Sequence, residues 1–139
     1  MDRIEDCISF LVSKAAQQVA RRTREKLSAW GVTPAQYAVL RVLWDEDGQA
    51  GAAIGARLVI DSATITGVID RLEGTGLLER RADGGDRRVH RLFLTAQGRA
   101  LQAPLDAEMD HLNAAVAAEL AGAAPALWDG LRRLGDVRK

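Results

Sequence analysis

The stretch Asp61-Ser62-Ala63-Thr64-Ile65-Thr66-Gly67-Val68-Ile69-Asp70-Arg71-Leu72-Glu73-Gly74 decides the fold. Ile65, Val68, Ile69 and Leu72 recur at the i, i+3, i+4, i+7 spacing that places them on one buried face of a helix. Asp61 supplies an N-cap and Gly76 a stop. The opposite side of the wheel collects Ala63, Gly67, Asp70 and Gly74, flanked by Ser62, Thr64, Thr66 and Arg71. Such small and hydroxyl side chains suit close approach to another surface. Ala and the Thr methyl can meet a thymine methyl, and Ser/Thr hydroxyls can bond to bases or to phosphates. The plainer reading of the same residues is a polar face turned to solvent.

Downstream, the period changes from that of a helix to that of a strand. Residues 77–81 and 89–94 read as short strands, and Ala82-Asp83-Gly84-Gly85-Asp86 reads as the turn-rich link of a two-stranded hairpin. Upstream, Thr33-Pro34 starts a helix carrying Tyr37, Leu40, Val42, Leu43 and Trp44. Residues 50–58 form a weaker helix. It lacks a capping side chain at Ala50, and Gly51 and Gly55 each cost roughly 1 kcal/mol against Ala. Three short helices followed by a hairpin make a winged helix-turn-helix. The expected fold is thus mainly α with a small β-hairpin wing, its third short helix suited to a major groove and its hairpin to an adjacent groove.

The two ends extend this unit. Residues from about 3 to 29 read as one long helix with Ile4, Ile8, Leu11, Ala15 and Val19 on one face. Thr95 caps a second long helix with Leu101, Leu105, Met109, Leu112, Val116 and Leu120 in register, and Pro104 is expected to bend it. A short helix with Leu127, Trp128, Leu131 and Leu134 follows. These apolar faces exceed what one small core can cover, so a second copy of the chain is the expected partner. The expected organisation is a single domain over 1–139. About 33–99 forms the winged part, and about 1–30 and 100–139 form dimerisation helices.

Charge narrows the partner. The 139 residues hold 19 Lys+Arg and 19 Asp+Glu, with 47% hydrophobic and 27% charged, which excludes a disordered polyelectrolyte. Yet seven arginines, Arg71, Arg80, Arg81, Arg87, Arg88, Arg91 and Arg99, fall within residues 71–99 against four acids. Asp86-Arg87-Arg88 lies just past Gly84-Gly85 at the hairpin tip, where an arginine can enter the strongly negative minor groove. Asp70 is the odd member of the helix face, because phosphates repel a carboxylate. A tip arginine is the expected partner, and a contact to cytosine is the rival explanation.

The chain resembles the MarR-type regulators. The resemblance is carried by Thr33-Pro34-Ala35-Gln36-Tyr37-Ala38-Val39-Leu40, Ile69-Asp70-Arg71-Leu72-Glu73 with Gly76-Leu77, Asp86-Arg87-Arg88, and Leu92-Phe93-Leu94-Thr95-Ala96-Gln97-Gly98, in that order. It implies a homodimer with interlocked terminal helices and two winged domains on a pseudo-palindromic operator. It also implies release by small aromatic ligands or oxidants, and a pairing of Asp70 with Arg88. The residues expected at DNA are therefore Ser62, Ala63, Thr64, Thr66, Gly67, Arg71, Arg87 and Arg88, with Asp70 and Asp86 orienting the wing. The chain departs from the family pattern at Gly67, at the uncapped Ala50 and at Val59-Ile60, which bears on the operator sequence.

Other chemistries find less support. Cys7 lies on the first helix, where a peroxide-sensing branch keeps a reactive thiol, but Tyr37 is the sole tyrosine and an inert cysteine is the expectation. Gly48, Gly51 and Gly55 lack phosphate-loop spacing, His90 and His111 lack metal-ligand partners, and no Ser/His/Asp grouping stands out. No enzyme, metal or cofactor is expected. Trp30, Tyr37 and Trp44 are candidates to line a cleft for an aromatic effector, and Arg21, Arg22, Arg24 and Lys26 for an anionic one; plain core and a solvated helix face are the alternatives. A single cysteine, an acidic start and the lack of a long apolar run point to the cytoplasm, with no membrane partner. The expectation is a ligand-responsive repressor. An oxidant-responsive regulator, or an interaction module that kept the fold but lost DNA, are the alternatives.

Overall fold

The computed structural model describes residues 1–136. A single 3-10 turn, Ile4–Asp6, precedes helix α1 (Ile8–Ser28), with Cys7 extended between them as the N-cap. The first helix is therefore interrupted at Cys7, which offers no capping hydrogen bond from its side chain. Helix α2 (Pro34–Asp45) begins with a full capping box. The Thr33 hydroxyl accepts from Gln36 N at 3.2 Å, and the Gln36 side chain accepts from Thr33 N at 3.0 Å.

A two-residue strand, β1 (Gln49–Ala50), then leads into α3 (Gly51–Leu58). Strand β2 (Leu78–Ala82) and strand β3 (His90–Leu94) follow α4 (Ser62–Gly74). The sheet has three antiparallel strands in the order β1-β3-β2, where the sequence pattern indicates only two. Two residues are too few to display an alternating pattern, so β1 leaves no trace in the sequence.

The buried side chains form one core. Leu27 from α1, Val39, Leu40 and Leu43 from α2, Ile54 from α3, Leu72 from α4, and Leu78 and Leu92 from the sheet are all essentially inaccessible. The glycines that weaken α3 on propensity have a packing role. A Cβ on Gly55 would lie 3.2 Å from Ile60 O and 3.5 Å from Ile65 Cγ2, so its absence lets α4 turn back tightly against α3.

The long helix expected after Thr95 is split into α5 (Ala96–Ala100) and α6 (Gln102–Leu120). Pro104 is the cause. It has no N–H to return to the carbonyl four residues back, and its ring crowds that carbonyl, so the first segment ends at Ala100 and Pro104 sits in the first turn of the second. A further 3-10 turn, Ala121–Ala123, precedes α7 (Ala124–Gly135). The expected C-terminal dimer stripe is also redistributed. Leu105 and Leu112 are buried within the chain's own core, whereas Leu127, Leu131 and Leu134 of α7 are 39%, 50% and 67% exposed. On α1, Ile8, Leu11, Val12 and Val19 are exposed, as is Ile4 before it. The last three residues of the 100–139 segment lie outside the described residues. Among the described residues no single helix is long and apolar enough to cross a membrane.

Candidate nucleic-acid interface

Helix α4 divides as its sequence period requires. Ile65, Val68, Ile69 and Leu72 are buried, while Ser62, Ala63, Thr64, Thr66, Asp70 and Arg71 are exposed and Gly67 is half-buried. Asp61 caps the helix twice, accepting from Thr64 N and from the Thr64 hydroxyl, each at 2.8 Å. The backbone N–H of Thr64, and then its hydroxyl, hold the Asp61 carboxyl below its ordinary range. The Thr66 hydroxyl donates back to Ser62 O at 2.7 Å. At Gly67 a Cβ would stand 3.6 Å from Arg71 Nη2, an ordinary contact distance.

The hairpin tip is closed by Asp83 N donating to Val89 O at 2.8 Å. Within it, Val89 N donates to Asp86 O at 3.1 Å, so Arg87 and Arg88 occupy the two central positions of a β-turn and project from it. Arg88 is 91% exposed. Asp86 accepts from Arg88 N at 3.0 Å and from Arg88 Nε at 3.2 Å. The Arg88 N–H, and then its guanidinium, depress the Asp86 carboxyl. Arg87 makes no ion pair among the described residues.

The structure corrects the expected partner of Asp70. Arg80 of β2, and not Arg88 of the tip, reaches it: Nη2 lies 2.5 Å from Asp70 Oδ1. Arg80 Nη1 lies 2.6 Å from Glu73 Oε1, and its backbone N–H donates to Glu73 Oε2 at 3.1 Å. The signal was present in the strand period. Leu78 is buried, so Arg80, two residues on, shares its inward face and meets α4, while Glu79 and Arg81 point away. Arg88 is held locally by Asp86 instead, because the two are only two residues apart in one turn.

The aromatic trio is not brought together. Tyr37 and Trp44 pack edge to face at 5.9 Å between ring centroids. Their polar atoms are engaged within the chain: the Tyr37 hydroxyl donates to Asp106 Oδ1 at 2.8 Å, and Trp44 Nε1 donates to Gly98 O at 3.0 Å. Trp30, 42% exposed at the end of α1, joins neither ring. Burial, and then the Asp106 carboxylate, raise the Tyr37 phenol well above its ordinary value. Arg41 donates to the other oxygen of Asp106 at 2.7 Å and to Asp45 at 2.5 Å, and Arg57 of α3 also donates to Asp45, at 2.9 Å. This chain of charges, unforeseen in the sequence, ties α6 through α2 to α3. A cleft of about 460 Å³ lies between α1 and α6, lined by Arg22, Glu25, Lys26, Ala29 and Glu108. Two of the basic residues singled out on α1 therefore border a cavity, although Arg22 also pairs with Glu119 at 2.8 Å. Among the described residues no group of His, Cys, Asp and Glu could hold a metal ion.

Two helices packed on a third, whose outer face is polar, with an arginine-tipped ribbon after it, define the winged helix-turn-helix class of nucleic-acid-binding domain. The sequence pattern of the MarR family matches residues 32–90. The chain is 39% identical over 103 residues to the HTH-type transcriptional regulator TtmR of Methylorubrum extorquens, covering 74% of this chain but only about half, 53%, of that relative. A probable transcriptional regulator from Pseudomonas aeruginosa superposes with a TM-score of 0.87 at 32% identity, over 95% of this chain and 99% of that one. BpsR of Bordetella bronchiseptica, whose DNA binding is regulated by 6-hydroxynicotinic acid, superposes with a TM-score of 0.91 at 27% identity over 99% of each chain. The chain belongs to the MarR family, and the relatives that it matches are transcriptional regulators and not enzymes.

Proposed function

We propose that this chain is a homodimeric regulator of transcription that binds a pseudo-palindromic operator and is released from it by a small effector. About 33–99 forms the DNA-binding part, and the helices of 1–30 and 100–139 form the dimer. Ser62, Ala63, Thr64, Thr66, Gly67 and Arg71 meet the major groove, while Arg87 and Arg88 meet the adjacent minor groove. Asp70 and Asp86 hold the wing, each through an arginine. The observation that carries this reading is the exposed polar side of α4 beside a turn that projects two arginines. The apolar faces left open on α1 and α7 support the dimer. The cleft between α1 and α6 is bordered by Arg22 and Lys26 and equally by Glu25 and Glu108, so its lining favours neither sign of charge. The regulation of BpsR by 6-hydroxynicotinic acid is what supports a small aromatic or anionic effector.

The alternative of an interaction module without DNA would draw on the weak α3, and close packing at Gly55 accounts for that glycine within the fold. The test is a salt titration of binding to the duplex flanking the gene. Phosphate contacts make the logarithm of affinity fall linearly with the logarithm of salt concentration, at about 0.9 per contact. Arg87→Ala lowers that slope by about one. Absence of duplex binding at low salt, or binding indifferent to salt, overturns the reading.

A further inference from the structure

Val59 lies in the turn between α3 and α4 with φ 55° and ψ 47°, the left-handed region, and is 74% exposed. A β-branched residue is an outlier there, since its branched side chain crowds the backbone. The turn holds it in place: Val59 N donates to Ala56 O at 3.3 Å, and Ile60 N donates to Gly55 O at 2.9 Å. Glycine would relieve the backbone, and the chain gains nothing from an isopropyl group in water. The side chain is thus free for a contact outside its own fold, and it stands three residues before Ser62, the first residue of α4.

The hydroxyls that follow have a matching property. The Thr64 and Thr66 O–H groups are spent inside the helix, on Asp61 and on Ser62 O. What both side chains have left is a methyl group and oxygen lone pairs. With exposed Ala63 and the acceptor oxygens of Asp61, the surface from Val59 to Thr66 offers apolar groups and acceptors, with the Ser62 hydroxyl as its one side-chain donor. In the major groove each base pair shows two acceptors and one amino donor, so hydrogen-bond count does not separate A·T from G·C. The thymine methyl does, and the exposed apolar groups of Val59, Ala63, Thr64 and Thr66 are what can meet it.

We propose that this surface reads thymine methyl groups in the major groove, with Val59 and Ala63 as the specificity-determining contacts. The proposal rests on the DNA-binding reading above and adds the chemistry of the base edge.

The test uses the full chain and duplexes selected from a library with a random centre. Each thymine of the selected half-site is then replaced by deoxyuracil, which removes the 5-methyl and keeps the base pair. The expected result is thymine enrichment in each half-site and an affinity loss of about fourfold per methyl removed at the contacted steps. Val59→Gly is expected to lose sensitivity to uracil at one step while its melting temperature holds or rises, because glycine is unstrained in this turn. Uracil without effect, guanine selected at those steps, or duplex binding with no enriched sequence each overturn the proposal while leaving DNA binding in place. Failure to bind any duplex at low salt overturns the DNA reading as well.

Discussion

The Arg80 guanidinium bridges the Asp70 carboxylate at 2.5 Å and that of Glu73 at 2.6 Å, joining the first wing strand to the outer side of α4. Both acids raise the Arg80 pKa further, the Asp70 hydrogen bond most. Arg80→Ala would leave two unpaired carboxylates beside the proposed phosphate path. The expected result is a loss of DNA affinity of about tenfold, or about 1.4 kcal/mol. The effect on stability is smaller, about 0.2–1 kcal/mol per pair, because Asp70 is 58% exposed. A double-mutant cycle on DNA affinity with Asp70→Ala measures the coupling. Additive losses would show that the bridge does not position the wing, and a cycle of Asp70→Ala with Arg88→Ala should be additive.

Acid should weaken the start of α4 through Asp61. Its carboxyl titrates below its ordinary value because the charged form accepts two hydrogen bonds from Thr64. A depressed folded value means that the stabilisation is present above the unfolded pKa of about 3.9 and is lost as pH falls through the folded one. Asp61→Ala should therefore lower the melting temperature at pH 7 and change it much less at pH 2. An equal drop at both pH values would exclude the charged cap.

Tyr37 should show the opposite sign at alkaline pH. Its folded pKa lies above the unfolded value of about 10, so its contribution is complete below that pH and is lost as pH rises further. Tyr37→Phe should cost about 1 kcal/mol at neutral pH, for the bond to Asp106, and should reduce the alkaline loss of stability. Ultraviolet titration of the single phenol reads the shift directly. A phenol ionising near pH 10 in the folded protein would contradict the bond.

Gly98 marks a close approach of backbone to backbone. An added Cβ would stand 2.2 Å from Leu77 O. Gly98→Ala should destabilise by about 1–3 kcal/mol or more in chemical denaturation. Gly84→Ala, where nothing lies within 4 Å, should stay within about 0.5 kcal/mol. Equal effects would mean that α5 and the residue leading into β2 repack freely.

The open apolar faces should be covered by a second chain. Sedimentation of the wild-type protein is expected to give a dimer. Leu11→Glu combined with Leu131→Glu should shift it towards monomer and unfolding, because both sites are about half exposed in one chain. A well-folded wild-type monomer at micromolar concentration would refute the dimer.

Local pattern alone was enough for the elements whose cause is local. The buried quartet of α4, the start of α2 at Thr33-Pro34, the Asp61 cap and the paired strands of the wing all follow from period and capping chemistry over a few residues. The arginine-tipped turn followed from residue types in sequence. Tertiary structure decided what depends on residues far apart or on very short elements. Strand β1 is two residues long and exists only because β3 offers it an edge. Gly55 reads as a weak helix former until Ile60 and Ile65 are brought against it. The α6 stripe reads as a dimer face until α1 and the core cover Leu105 and Leu112. Asp70 had several arginines within reach along the chain. Only the inward phase of β2 and its position beside α4 selected Arg80, since a charge pairs with the partner that the packed backbone delivers and not with the one nearest in expectation.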